Sequence, residues 1–143
     1  MMNGDFFTFA ELTRTAKKVE NVPTWEQIQN LQQLRNFLNL VRKIFGKPIR
    51  VNSAFRSPAL NKLVGGAETS AHLQGLAADI CAGSGTEADN RLLLKILEYC
   101  LPVIDQLISY HKVAENAQSP IRFIHVGLPR SSENLPRSQR IYK

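Results

Sequence analysis

Cysteine, histidine and long apolar runs are all scarce in this 143-residue chain. There are two cysteines, Cys81 and Cys100, and no CxxC pair. That spacing excludes a zinc knuckle and a disulfide-stapled miniature fold, and both thiols are expected to be reduced and buried. No apolar stretch approaches the ~20 residues that cross a bilayer, so membrane insertion is excluded. The start, Met1 to Phe7, has no basic region followed by a long apolar segment. No secretory signal is read there. Synthesis in the cytoplasm is expected, with any extracellular role reached by lysis or as part of a phage particle. Internal repeats and low-complexity blocks are also lacking.

What remains is an ordinary globular composition, 43% apolar and 21% charged. The length suits one domain with a real core, and one domain over residues 1–143, acting as a monomer, is expected. Net charge is +6, concentrated in a tail where Arg122, Arg130, Arg137, Arg140 and Lys143 face Glu133 alone. Such a tail suits a polyanion or simply keeps the surface solvated. No helix-turn-helix and no interleaved aromatic–basic stripe accompanies it, which disfavours nucleic acid as a partner.

Thr24 with Gln27 three residues on reads as a capping box. Apolar residues follow at helical spacing: Trp25, Ile28, Leu31, Leu34, Phe37, Leu38, Val41, Ile44 and Phe45, with Gly46 and Pro48 as the stop. Ile49–Ser53 reads as a strand, and Ser57-Pro58 opens a short helix. Leu76–Cys81, Ile104–Tyr110 and Arg122–Leu128 read as further strands. Thr86 caps a helix with Leu92, Leu93, Ile96, Leu97 and Cys100 on one side. The end of the chain reads as irregular. The sum is α+β, a small, mostly antiparallel sheet packed on helices.

The chemistry concentrates in Ser70-Ala71-His72-Leu73-Gln74-Gly75-Leu76-Ala77-Ala78-Asp79-Ile80 and in Phe123-Ile124-His125-Val126-Gly127. Asp79 and His125 interrupt apolar runs, where an unpaired polar group costs several kcal/mol, about 2–7. A divalent metal bound by His72, Asp79 and His125 removes that cost, and two His with one carboxylate is a usual catalytic zinc set. Strand alternation puts Asp79 with Ala77 and Cys81, and His125 with Phe123 and Gly127, so mostly small neighbours leave space before both. Gly75 permits the turn that brings His72 in. By spacing alone, a satisfied core or surface histidine stays open beside the metal reading. Asp105 reads either as a carboxylate orienting a ligand histidine or as an ordinary strand-edge residue.

The segment Ser70, His72, Gly75, Ala77, Asp79 resembles the S-x-H-x-x-G-x-A-x-D motif of zinc D-Ala-D-Ala carboxypeptidases, which share the hedgehog/DD-peptidase fold. Val51 to Asn61 is similar to the family's V-x-S-G-Y-R-S-x-x-L-N segment, and Val64-Gly65-Gly66 to its V-G-G. Ile104 to Ile108 and Phe123 to Val126 resemble its F-D-Q-L-I and W-I-H-V segments, and Phe9 to Leu12 its F-x-x-x-E-L start. The resemblance implies zinc on His72, Asp79 and His125, with Arg56 gripping a substrate carboxylate or carbonyl and Ser70 on the substrate side. It implies hydrolysis of peptide bonds in peptidoglycan stem peptides, by a phage-type carboxypeptidase or endopeptidase. The pattern departs at Arg122, where relatives often carry the acid that activates water. His111, Tyr110 and Glu115 are the groups left for that role, His111 foremost. Loss of the base would instead leave a zinc-containing module that binds peptidoglycan without cutting it.

Overall fold

The computed structural model describes residues 5–130 and 135–143. Met1 to Gly4 and Glu133, used above for the signal and charge readings, lie outside the described residues. Among the described residues, four helices and five strands follow in chain order: α1 (Phe9–Thr13), α2 (Trp25–Phe45), β1 (Ile49–Ser53), α3 (Pro58–Leu63), β2 (Ala77–Ala82), α4 (Glu87–Tyr99), β3 (Gln106–His111), β4 (Ile121–Gly127) and β5 (Gln139–Tyr142). Short 3-10 turns cover Ala71–Gln74 and Leu101–Val103. No helix among the described residues is long and apolar enough to cross a membrane.

The expected caps form. Thr24 Oγ1 accepts the Gln27 N–H at 3.3 Å, and Gln27 Oε1 accepts the Thr24 N–H at 2.8 Å. Gly46 closes α2 in the left-handed region, at φ 74°. Leu31, Leu34, Leu38 and Val41 are fully buried, and each such side chain contributes about 1.5–3 kcal/mol. The expected stripe is too wide, however: Trp25 is 73% exposed and Ile44 57%. Asn39 takes part of the buried face instead, its side-chain oxygen accepting the Phe6 N–H at 2.8 Å. On α4, Leu92 points out while Leu93, Leu94 and Leu97 are buried. Cys81 is buried but Cys100 only partly, and both are free thiols.

The sheet order is β1-β2-β4-β3-β5. The β1–β2, β2–β4 and β3–β4 pairs are antiparallel, as expected, while β5 lies parallel to β3. That fifth strand corrects the irregular reading of the tail. It is short and edge-placed, held by backbone pairing and by Arg137, which forks onto Asp105 at 2.9–3.2 Å. One sheet face (Ile49, Val51, Ala78, Ile80, Leu107, Ile124, Val126) joins α2 and α4 in the core. The other face carries Asp79, His125, Ile108 and Tyr110 and stays open.

Candidate metal centre

Asp79 and His125 arrive together because β2 and β4 pair with these two residues directly opposite. His125 Nδ1 stands 3.0 Å from Asp79 Oδ1. His72 comes from the 3-10 turn before β2, and its Nε2 lies 3.3 Å from the same oxygen. That turn is pinned at several points. Ser70 Oγ accepts the His72 N–H at 3.2 Å, Gln27 Nε2 donates to Leu73 O at 3.1 Å, and Asn30 Nδ2 donates to Gln74 O at 2.8 Å. Gly75 ends the turn at φ 74°, and a Cβ there would stand 2.9 Å from the Gln27 carbonyl oxygen of α2. The position therefore needs glycine both for its conformation and for the close approach.

His72 Nδ1 lies 2.6 Å from the Ala54 carbonyl oxygen, which can only accept. Nδ1 thus carries the hydrogen, and the Nε2 lone pair faces Asp79 and His125. One ligand atom from each of the three residues lies within 4.8 Å of the other two. The donor set, its convergence and the fixed His72 tautomer fit a zinc ion with a position left for water. Burial disfavours the Asp79 charge, but in the absence of metal the His125 and His72 rings, in their protonated form, donate to it and outweigh that cost. Its carboxyl is held well below the usual carboxylate range, so it is an anion ready to ligate.

Arg56 sits against the same carboxylate, with Nη2 3.2 Å from Asp79 Oδ2. Its Nε donates to Ser53 Oγ at 3.2 Å and its Nη1 to Asn61 Oδ1 at 3.3 Å. Asn61 is buried and also donates to Ala67 O at 2.9 Å. A Cβ on Gly66 would lie 2.0 Å from Asn61 Oδ1 and 3.0 Å from Arg56 Nη1. The Gly65-Gly66 loop is thus folded tightly around the arginine. Three of the five guanidinium N–H groups are used, leaving two for a ligand.

A cavity of about 850 Å³ covers these groups, and Ser70, Glu68, Tyr110, Phe123 and Lys143 are among its walls. That volume suits a peptide-sized ligand. His111 does not reach the cavity. It is buried, with Nδ1 2.7 Å from Ser119 O and Nε2 2.8 Å from Ser109 Oγ. Strand alternation turns it to the core side, which removes it from the water-activating role. Glu115 lies on the β3–β4 loop at φ 61°, also outside the cavity. Asp105 lines the cavity, but the Arg137 fork holds its carboxylate, below the usual range, rather than a histidine. Pairing of β3 with β4 skips Arg122, since Tyr110 faces Phe123 and His111 faces Ile121. Arg122 is exposed there, its guanidinium 5.8 Å from the Phe123 ring centre. Sequence reasoning passed over Glu68 and Lys143 as cavity residues. A polar loop and a short, polar edge strand carry no periodic signal.

The Peptidase M15 family model matches residues 5–103. The chain belongs to the Peptidase M15 family. It is also 38% identical over 91 residues to the zinc D-Ala-D-Ala carboxypeptidase of Streptomyces albus G, a match covering 54% of this chain and 32% of that protein. The chain therefore spans about a third of the length of that curated relative. The family match contains Arg56, His72 and Asp79 but stops before His125. The third donor is supplied by the β2–β4 pairing.

Proposed function

We propose that this M15 protein is a zinc peptidase that hydrolyses peptide bonds in peptidoglycan stem peptides. The observation that carries the reading is the convergence of His72, Asp79 and His125 beside Arg56 in one cavity. The relationship to a zinc D-Ala-D-Ala carboxypeptidase supports the substrate class. Zinc at such a site polarises a carbonyl and lowers the pKa of bound water toward ~7. The protein's own residues do the positioning. Arg56, held by Ser53, Asn61 and Asp79, offers its two remaining N–H groups to a peptide carboxylate or carbonyl. The cavity walls orient the chain across the open sheet face.

One observation favours a second reading. The carboxylates lining the cavity, among the described residues, are Asp79, Asp105 and Glu68. Asp79 faces the metal site and Asp105 is held by Arg137. Only Glu68, on an exposed loop, is left to accept a proton from water. A module that binds stem peptides without cutting them has this composition too. Digestion of purified peptidoglycan with zinc-loaded protein, with and without chelator, separates the readings. Chelator-sensitive release of D-Ala marks a carboxypeptidase, and release of larger stem fragments an endopeptidase. Saturable binding with no product marks the module and overturns the peptidase reading.

A further inference from the structure

We propose that the Tyr110 hydroxyl is the hydrogen-bond donor that stabilises the negative oxygen formed when water adds to the substrate carbonyl. The proposal rests on the peptidase reading above and names a group for the charge that hydrolysis develops.

Position comes from the sheet. Ile108 pairs with His125 and Tyr110 with Phe123 across β3 and β4. Tyr110 is therefore the diagonal same-face neighbour of His125. Such neighbours lie roughly 7–8 Å apart at the backbone, within reach of an aromatic side chain. Direction comes from stacking. The Tyr110 ring lies on Phe123 with centroids 4.5 Å apart and planes 16° from parallel. The stacked pair stands on the open sheet face that also carries Asp79 and His125, and Tyr110 and Phe123, like Asp79 and Arg56, are walls of the cavity. Among the described residues, no group accepts the hydroxyl proton.

Protonation state agrees with this role. Burial raises the Tyr110 pKa first and the Asp79 charge raises it further, with Arg56 pulling the other way. The hydroxyl keeps its proton at neutral pH, which suits a donor and not a base. As the water oxygen bonds to the carbonyl carbon, the C=O pair moves onto oxygen, and Tyr110 donates a hydrogen bond to it. The proton stays on Tyr110. When that pair returns, the C–N bond breaks and the amine leaves with a proton that came from the water. Donors placed for the charged oxygen act mainly on the transition state.

Tyr110→Phe keeps the ring and its stack and removes only the donor. With D-Ala-D-Ala-terminated peptide, kcat should fall about 10²-fold while KM stays within about twofold. Calorimetry with a phosphinate analogue of D-Ala-D-Ala, whose tetrahedral anion mimics that state, should show a comparable loss of affinity. Zinc content and melting temperature should match wild type. Unchanged kcat and unchanged phosphinate affinity in an active protein overturn the Tyr110 assignment and leave the peptidase reading standing. Equal losses for the phosphinate and for the planar peptide also overturn it, since they mark a general binding contact. Wild-type protein that does not bind the phosphinate and releases neither D-Ala from the peptide nor stem fragments from peptidoglycan overturns both readings. Wild-type protein that binds the phosphinate without cleaving supports the donor role if Tyr110→Phe weakens that binding.

Discussion

Asp79 and His125 are direct cross-strand partners, and His125 Nδ1 stands 3.0 Å from Asp79 Oδ1. The metal centre is thus built on the backbone register of β2 and β4 and not on a flexible loop. A site carried by paired strands is held more firmly than one carried by loops. The same carboxylate also anchors His72 and Arg56, so three functional groups share one anion.

Asp79→Ala removes that shared anion. Zinc measured by mass spectrometry should fall from stoichiometric to trace. In the metal-free protein, Arg56 loses its carboxylate but keeps Ser53 and Asn61; the pair is partly buried, so the cost should fall short of the about 3–5 kcal/mol of a fully buried one. Urea unfolding of the metal-free proteins should show the loss. Full zinc occupancy in Asp79→Ala would remove Asp79 from the ligand set.

Gly75→Ala tests the other route into the site. The residue sits at φ 74°, and a new Cβ would lie 2.9 Å from Gln27 O and 3.1 Å from Leu31 Cγ. The left-handed conformation alone costs roughly 1–2 kcal/mol for a residue with a Cβ. The push against α2 also moves the turn that carries His72. Both the melting temperature and zinc affinity should drop. A lowered melting temperature with unchanged zinc affinity would show that His72 is held independently of this contact.

The legibility of the chain divides along physical lines. Asp79 and His125 stood out because a charge and an imidazole in apolar strands need a partner. Helix α2 was legible from its capping box and period, although Trp25 and Ile44 widened the apparent stripe. Arg56 carried no signal of its own, and only the surrounding motif marked it. Strand β5 was illegible because its evidence is non-local. It consists of parallel pairing to β3 and the Asp105–Arg137 fork, 32 residues apart. The direction of His111 depends on which parity of β3 faces the cavity, and the pairing with β4 sets that parity.

His111→Asn follows from that parity. The His111 ring bridges Ser109 Oγ and the Ser119 carbonyl beneath the sheet, and Ser109 also receives Arg140 Nη2 at 3.0 Å. Removing the bridge loses both ring hydrogen bonds, at about 0.5–1.5 kcal/mol each, although Ser109 Oγ keeps Arg140 and the Ser119 carbonyl keeps Arg91 Nη2 at 2.8 Å. The variant should melt earlier yet retain the wild-type kcat at temperatures where it is folded. A large fall in kcat in a folded variant would return His111 to the site.

Acid should weaken the join between α4 and β4 through Glu87. Its carboxylate accepts Arg91 Nε at 2.6 Å and the Ile121 N–H at 2.9 Å. Burial pushes the Glu87 pKa up, but the Arg91 and Ile121 hydrogen bonds and nearby positive charge pull it below the ordinary value. A folded pKa below the unfolded one, ~4.3, gives stability that is fully present above that pH. It is lost as pH falls through the folded value. Melting temperatures taken from pH 6 to pH 2 should therefore decline below about pH 4, and the decline should be shallower in Glu87→Gln, which carries no charge to lose. Because Asp79 and Asp105 shift in the same direction, the variant flattens the curve only in part. Parallel curves for the two proteins would show that Glu87 titrates alike in the folded and unfolded chains, and that the ion pair with Arg91 adds nothing to the join.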